Sequence, residues 1–324
     1  MANADFHTVG RGAVVVGINS GLAGCRQALI LAADEARMRN TIVRLVHGCE
    51  PLYTLTERQP RVPLEARERQ ARRQLRDAAE SLRPLLAPGS RVEFRIDPRT
   101  GIDTLLDQSS TAQLLVLQRR DLTVLGRITA GSTSRAVAAR SSCPVAVTRT
   151  GQGSSHGRGA VLVAVDDLAD ALIVLPLAFA EAAARRVQLT VTRMSTIKDS
   201  DRGSFHEATG AAVPGDGPVA SVSAEIDHWA ATYPDVSVNH LVLGGDAVAD
   251  LRDASASAEL LVIGRHPDQE RHRLILGSRA RQLIDTAHCP VLVAAPTGTG
   301  PADGQSRSPA AGDARRRSSA SSQP

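Results

Sequence analysis

GAVVVGIN at residues 12–19 returns as GAVLVAVD at residues 159–166, and these two stretches decide how the whole chain is read. Each is a run of small and β-branched apolar residues closed by a polar one, the pattern of a short strand buried on both faces. Working outward, AQLLVLQ (112–118) matches AELLVIG (258–264), Gly131-Ser132 matches Gly277-Ser278, and SSCPVAV (141–147) matches AHCPVLV (287–293). The first pair is offset by 147 residues and the other three by 146. Anchors that keep register from residue 12 to residue 147 with one net deletion define an internal repeat.

Between the apolar runs lie longer segments whose apolar residues recur at helical spacing. In the first half, strands are expected near 12–18, 41–47, 91–96, 113–118 and 144–148, with helices near 22–39, 64–86, 100–110 and 131–141. In the second, strands are expected near 160–165, 187–193, 236–242, 259–264 and 290–294, with helices near 169–185, 217–232, 246–257 and 277–288. Alternation of this kind, with right-handed crossovers, predicts an α/β chain of two tandem doubly wound parallel five-stranded sheets of flavodoxin or Rossmann type. The domains are read as 10–149 and 159–296, joined by a polar Gly/Ser-rich linker at 150–158. The stretch 195–217 reads as a mobile loop. Residues 297–324 are rich in Gly, Pro, Ser and Ala and are read as a disordered tail, Arg315 to Arg317 being a solvated charge cluster within it.

Length and composition agree with two domains. The chain has 324 residues, of which 42% are hydrophobic and only 2% aromatic, so its cores must rest on Val, Leu, Ile and Ala. Residues 1–150 hold 22 arginines and 14 acids, whereas residues 151–296 hold 12 basic and 18 acidic residues. Opposite net charge on the two halves favours their association and weakens any inference of nucleic-acid binding from the overall basicity. Cys25, Cys49, Cys143 and Cys289 form no close pair, so neither disulfide nor zinc is expected. No leader-like apolar stretch and no apolar run long enough to span a membrane is seen, and the chain is read as cytoplasmic.

In doubly wound sheets, ligands bind at the carboxyl ends of the strands where the winding reverses. After the first strand of the second half stands Asp166, followed by Asp167. A carboxylate here can hold a ribose or adenine group, and it can equally cap the next helix. The first half has Asn19-Ser20 at that point. After the fourth strand, the second half reads Gly264-Arg265-His266-Pro267, then nine residues, then Gly277-Ser278 opening a helix. Glycines that admit a close ligand, beside helix N–H groups, suit a phosphate, and Arg265, Arg271 and Arg273 would add positive charge. The first half reads Gln118-Arg119-Arg120-Asp121, nine residues, then Gly131-Ser132.

With these residues the chain resembles a tandem universal stress protein, two copies of that domain covering residues 10 to 296. Nucleotide-binding members of the family carry Gly-x2-Gly-x9-Gly-(Ser/Thr) after strand four and an Asp after strand one. The CPV at Cys143 and Cys289 is also family-like. Here Pro267 replaces the middle glycine of the second half, and Gln118 and Asp121 replace both early glycines of the first. The resemblance implies adenine-nucleotide binding in some members and its loss in others, with ATP or AMP and Mg2+ as the ligands where it is kept, and pairing of domains through the last strand as a pseudo-dimer that can dimerise further. The expected site lies mainly in the second half, at Asp166, Gly264, Arg265, Gly277 and Ser278, with Asn19, Gly131 and Ser132 as its remnant in the first.

The leading function is a non-catalytic, nucleotide-responsive stress regulator. The alternatives are a nucleotide-free interaction or scaffold protein, and a slow ATPase with Asp166, Asp167 and Asp268 as the conceivable Mg2+ contacts. His266 and His272, six apart, match no zinc spacing and are read as loop or phosphate-contact residues. No Ser-His-acid set and no G-x-G-x-x-G after a first strand is found. The arginines Arg67, Arg69, Arg72, Arg73 and Arg76 are read as a solvated helix face, paired with Glu65, Glu68, Asp77 and Glu80. Trp229 and Tyr233, four apart, are read as core or interface packing.

Overall fold

The computed structural model describes residues 12–18, 24–50, 62–119, 133–150, 159–194, 217–243, 246–268 and 273–295, with only the backbone described for 194, 217–221, 266–268 and 273–275. The first half runs β1 (Val14–Gly17), α1 (Arg26–Met38), β2 (Val43–Glu50), α2 (Leu64–Leu82), β3 (Val92–Thr100), α3 (Gly101–Ser109), β4 (Leu114–Arg119), α4 (Thr133–Arg140) and β5 (Val145–Arg149). The second runs β6 (Ala160–Val165), α5 (Leu168–Arg185), β7 (Leu189–Met194), α6 (Gly217–Thr232), β8 (Val238–Leu243), α7 (Ala247–Ala254) and β9 (Ala258–Ile263). It then adds β10 (His266–Asp268) and β11 (Arg273–Ile275) before α8 (Ser278–Thr286) and β12 (Val291–Val293).

Each half orders its strands identically, β3-β2-β1-β4-β5 in the first and β8-β7-β6-β9-β12 in the second, all parallel. The two five-stranded sheets join into one of ten strands, because β5 and β12 pair antiparallel with Val145 opposite Val293 and Val147 opposite Val291. That junction sits in the middle of the sheet, so the last strands of both halves are covered on both edges rather than left as exposed templates. The helices divide between the two faces, α1, α2, α5 and α6 on one and α3, α4, α7 and α8 on the other, each over an apolar cluster that runs through both halves. Val14, Val16, Val161 and Val163 face the first cluster, and Val15 and Leu162 face the second, the two-sided burial that their continuous apolar runs imply.

The repeat extends to the backbone. A Cβ on Gly12 would lie 2.3 Å from the Thr111 carbonyl oxygen, and one on Gly159 would lie 2.5 Å from that of Ser257, so the glycine opening each quoted stretch is demanded by the chain crossing beneath it. After α1, Asn40 takes φ 48°, and its counterpart after α5, Arg186, takes φ 57°. Asn accepts that left-handed turn readily, whereas arginine takes it at some cost. Trp229 and Tyr233 pack as expected, in a stack of Trp229 on Tyr233 (centroids 6.2 Å apart) and Tyr233 on Phe179 (6.0 Å). All four cysteines are buried and none is joined in a disulfide.

Three expectations are corrected. α2 ends at Leu82 and passes into a short 3-10 turn, Arg83–Leu85, because Pro84 cannot continue the α-helical ladder. β3 runs on to Thr100, where the Thr100 side chain caps α3 by accepting from the Asp103 amide. The segment after β9, read as a loop, contains the antiparallel hairpin β10–β11, with Pro267 opposite Leu274. β11 lies against α4 of the first half. The expected mobile loop 195–217, the linker 150–158 and the tail fall almost wholly outside the described residues, as do Asn19, Ser20, Asp121, Gly131, Ser132, Arg271 and His272. No helix among the described residues is long and apolar enough to cross a membrane.

Candidate functional site

The winding of each sheet reverses between its first and fourth strands, so β1/β4 and β6/β9 open two equivalent clefts at their carboxyl ends. The two clefts are built differently. That of the first half has a volume of about 400 Å3, within the range of small-molecule sites, and is lined by the ends of β1 and β2, by α2, and by Gln118 and Thr133. That of the second half has about 40 Å3, room for little more than a water molecule.

The second cleft is closed by Asp170 and Arg279, which engage two of the residues expected to bind there, Gly264 and Asp166. Asp167, rather than Asp166, caps α5, its Oδ1 accepting from the Asp170 amide at 2.8 Å. Asp166 instead accepts from Arg279 Nη1 at 2.8 Å, tying the end of β6 to the first turn of α8. Its amide also donates to Asp170 Oδ2 at 3.3 Å. Asp170 in turn fills the space above Gly264: a Cβ on that glycine would come within 1.7 Å of Asp170 Oδ1. Gly264 therefore makes room for a carboxylate of the protein itself. Gly277 is the N-cap of α8, and Ser278, its first residue, is exposed. Asp166 and Asp167, two of the conceivable Mg2+ contacts, are thus engaged with the protein, and only the backbone of Asp268 is described. No group of three His, Cys, Asp or Glu side chains able to hold a metal occurs among the described residues.

Arg265 is placed away from this cleft. It is 3% exposed, its Nε donates to the Ala294 carbonyl at 3.0 Å and its Nη1 reaches the Ala139 carbonyl of α4 at 3.4 Å. Burial pushes its pKa down, partly offset by the neighbouring Cys143. Arg119, 146 residues earlier, does the same in reverse, its Nη1 donating to the Asp285 carbonyl of α8 at 3.0 Å. Each arginine thus crosses to the last turn of the other half's final helix, where carbonyls are left without intrahelical donors. The pair is an interface clamp on the pseudo-two-fold axis.

A second symmetric set lies on the opposite face. Glu35 and Arg39 recur as Glu181 and Arg185 at the same offset. Arg39 bonds Glu35 at 2.9 Å and also Glu181, while Arg185 bonds Glu181 and Glu35 and approaches Glu259 at 3.5 Å. Burial works to raise the Glu35 carboxyl, but the guanidinium groups of Arg185 and Arg39 overcome it and hold it below its usual range. This network could have been found from the sequence: E-x-x-x-R at 35–39 and again at 181–185 is a charged repeat at the carboxyl ends of two Ala-rich helices.

In the first cleft Gln118 stands where the second half has Gly264. Its Oε1 accepts from the amides of Gln27 (2.9 Å) and Ala28 (3.3 Å), capping α1, and its Nε2 donates to Thr150 Oγ1 at 3.2 Å. Thr133 occupies the place of Arg279, so the described part of this cleft has no counterpart of that charge. His47 forms one wall, with Nδ1 2.6 Å from the Ile18 carbonyl, which makes Nδ1 the protonated nitrogen. Burial lowers its pKa more than that hydrogen bond raises it. Arg67 leaves the solvated face expected of it and turns inward, Nη1 donating to the Cys49 carbonyl at 3.0 Å. Arg72 does pair with Glu68 at 3.2 Å in the expected manner. The Arg67 Nε and the Gln74 Oε1 are buried without a hydrogen-bond partner among the described residues, and both line the cleft. Sequence reading placed Arg67 on an outer face and did not single out Gln74, because α2 is rich in charged residues.

Comparison with known proteins agrees with this architecture. A universal stress protein of Mycolicibacterium smegmatis is 27% identical over 297 residues, 87% of this chain and 97% of its own length. The crystal structure of a universal stress protein from Archaeoglobus fulgidus superposes with a TM-score of 0.63 at 14% identity, covering 88% of this chain and 97% of that one. A universal stress protein solved in complex with cAMP is 24% identical and covers 44% of this chain and 98% of that one, with a TM-score of 0.34. The model of the universal stress protein family matches twice, at residues 11–149 and 157–295. The chain belongs to the universal stress protein family and carries two of its domains in tandem.

Proposed function

We propose that the chain is a non-catalytic, adenine-nucleotide-responsive regulator that takes its ligand in the cleft of the first half. The observation that carries this reading is the contrast of about 400 Å3 against about 40 Å3 at equivalent strand ends. Family membership supplies the ligand class, and the cleft supplies volume, apolar walls from Ile18, Val46, Leu105 and Leu117, and polar groups that a ligand would complete. Phosphates and Mg2+ fit poorly in the second half, where Arg279 and Asp170 occupy the ground. For that half the same closure favours the interaction reading, in which it serves as a fixed partner of the first.

Isothermal titration of an adenine nucleotide series into the nucleotide-stripped chain tests the reading. Saturable binding of one equivalent, abolished by Gly17→Leu and without release of phosphate over hours, is the expected result. No heat at millimolar ligand overturns it, and steady phosphate release overturns its non-catalytic part.

A further inference from the structure

The first cleft holds a matched pair of unused polar groups. Arg67 and Gln74 are seven residues apart on α2, two turns along one face of the helix. Arg67 is anchored by Nη1 on the Cys49 carbonyl, which leaves Nε buried with a proton to donate. Gln74 Oε1 is buried with lone pairs to offer. Buried donors and acceptors in native proteins are nearly always satisfied, so a donor and an acceptor both left open at one cavity ask for a ligand that brings the complement of each.

The phosphate side of the same cleft is differently disposed. The amides of Gln27 and Ala28, at the start of α1, already donate to Gln118. Gln118 stands where the family motif has its first glycine, and the described lining holds one arginine and one glutamate, Arg67 and Glu50. Little in the described lining favours an anion.

Resting on the reading that this cleft takes an adenine compound, we infer that it recognises the base rather than the phosphates, with Arg67 Nε donating to a ring nitrogen and Gln74 Oε1 accepting from the exocyclic amine. The ligand class is an adenine nucleoside on which phosphate is optional.

Titration of adenosine, AMP, ATP and purine riboside into the full chain separates the possibilities. Adenosine, AMP and ATP bind within about threefold of one another, whereas purine riboside, which lacks the amine, binds about tenfold more weakly, the factor for one lost hydrogen bond. The Gln74→Met and Arg67→Lys chains, checked for an unchanged thermal midpoint, lose adenosine affinity by a similar factor. ATP binding tenfold or more tighter than adenosine overturns the inference and leaves the nucleotide reading standing, as does purine riboside binding as well as adenosine. Absence of binding by every adenine compound overturns both.

Discussion

The two halves of this molecule agree where they touch and differ where they open. At the interface three pairs of residues are matched: Glu35 and Glu181, Arg39 and Arg185, Arg119 and Arg265 make reciprocal contacts about a pseudo-two-fold axis. At the clefts the counterparts have diverged, Gln118 against Gly264 and Thr133 against Arg279. Pairing across the axis constrains both copies at once, since a change in one leaves a charge uncompensated in the other. A cleft has no such partner and each copy can drift.

Breaking the symmetric part has the largest expected effect. Arg185→Ala strips three carboxylates of a buried cation, and urea unfolding should show a loss of about 3–5 kcal/mol. Arg39→Ala, which touches only Glu35 and Glu181, should cost less. Equal losses would mean that Glu259 contributes nothing. Exchanging Glu35, Arg39, Glu181 and Arg185 together for Met and Leu should be neutral or stabilising, because the desolvation of four charges is removed with them.

The asymmetric positions come next. Gly264→Ala must displace Asp170 and should destabilise by about 1–3 kcal/mol, and most of that loss should vanish in an Asp170→Ala background, a coupling that a double-mutant cycle measures. Arg279→Ala removes a half-exposed ion pair and should change stability by less than about 1 kcal/mol, yet open the second cleft. Titration of adenosine should then approach two equivalents. A stoichiometry that stays at one would assign the closure to Asp170 alone.

The smallest effect concerns pH. His47 has Arg193 as its counterpart, so among the described side chains this titration belongs to the first cleft. Burial holds the folded-state pKa of His47 below its ordinary value of 6.5. Between the two values the unfolded chain binds the proton and the folded chain does not, so stability falls as pH drops through this window and is fully present above 6.5. His47→Gln should flatten that part of the stability profile, and an unchanged slope would exclude His47 as its source.

Much of this was legible in the residues. The anchors at 12–19 and 159–166 mark equivalent buried parallel strands because a strand buried on both faces tolerates only a continuous run of small and branched apolar side chains. The doubly wound reading pointed to the carboxyl ends of the strands where the winding reverses. Arg67 and Arg265 were not legible. Arg67 lies in a polar stretch where an arginine reads as solvated, Arg265 was expected beside a phosphate, and only the approach of the Cys49 and Ala139 carbonyls shows where each is held.

By itself, then, the sequence determined that the chain folds as two copies of one parallel α/β unit, since periodicity is a local property and repeats identically in both. Tertiary structure decided which copy is open. Whether a glycine faces a phosphate or an aspartate, and whether an aspartate faces a ribose or an arginine, depends on side chains brought together across the chain, Asp170 onto Gly264 and Arg279 onto Asp166 from 113 residues away. No local pattern carries that distance.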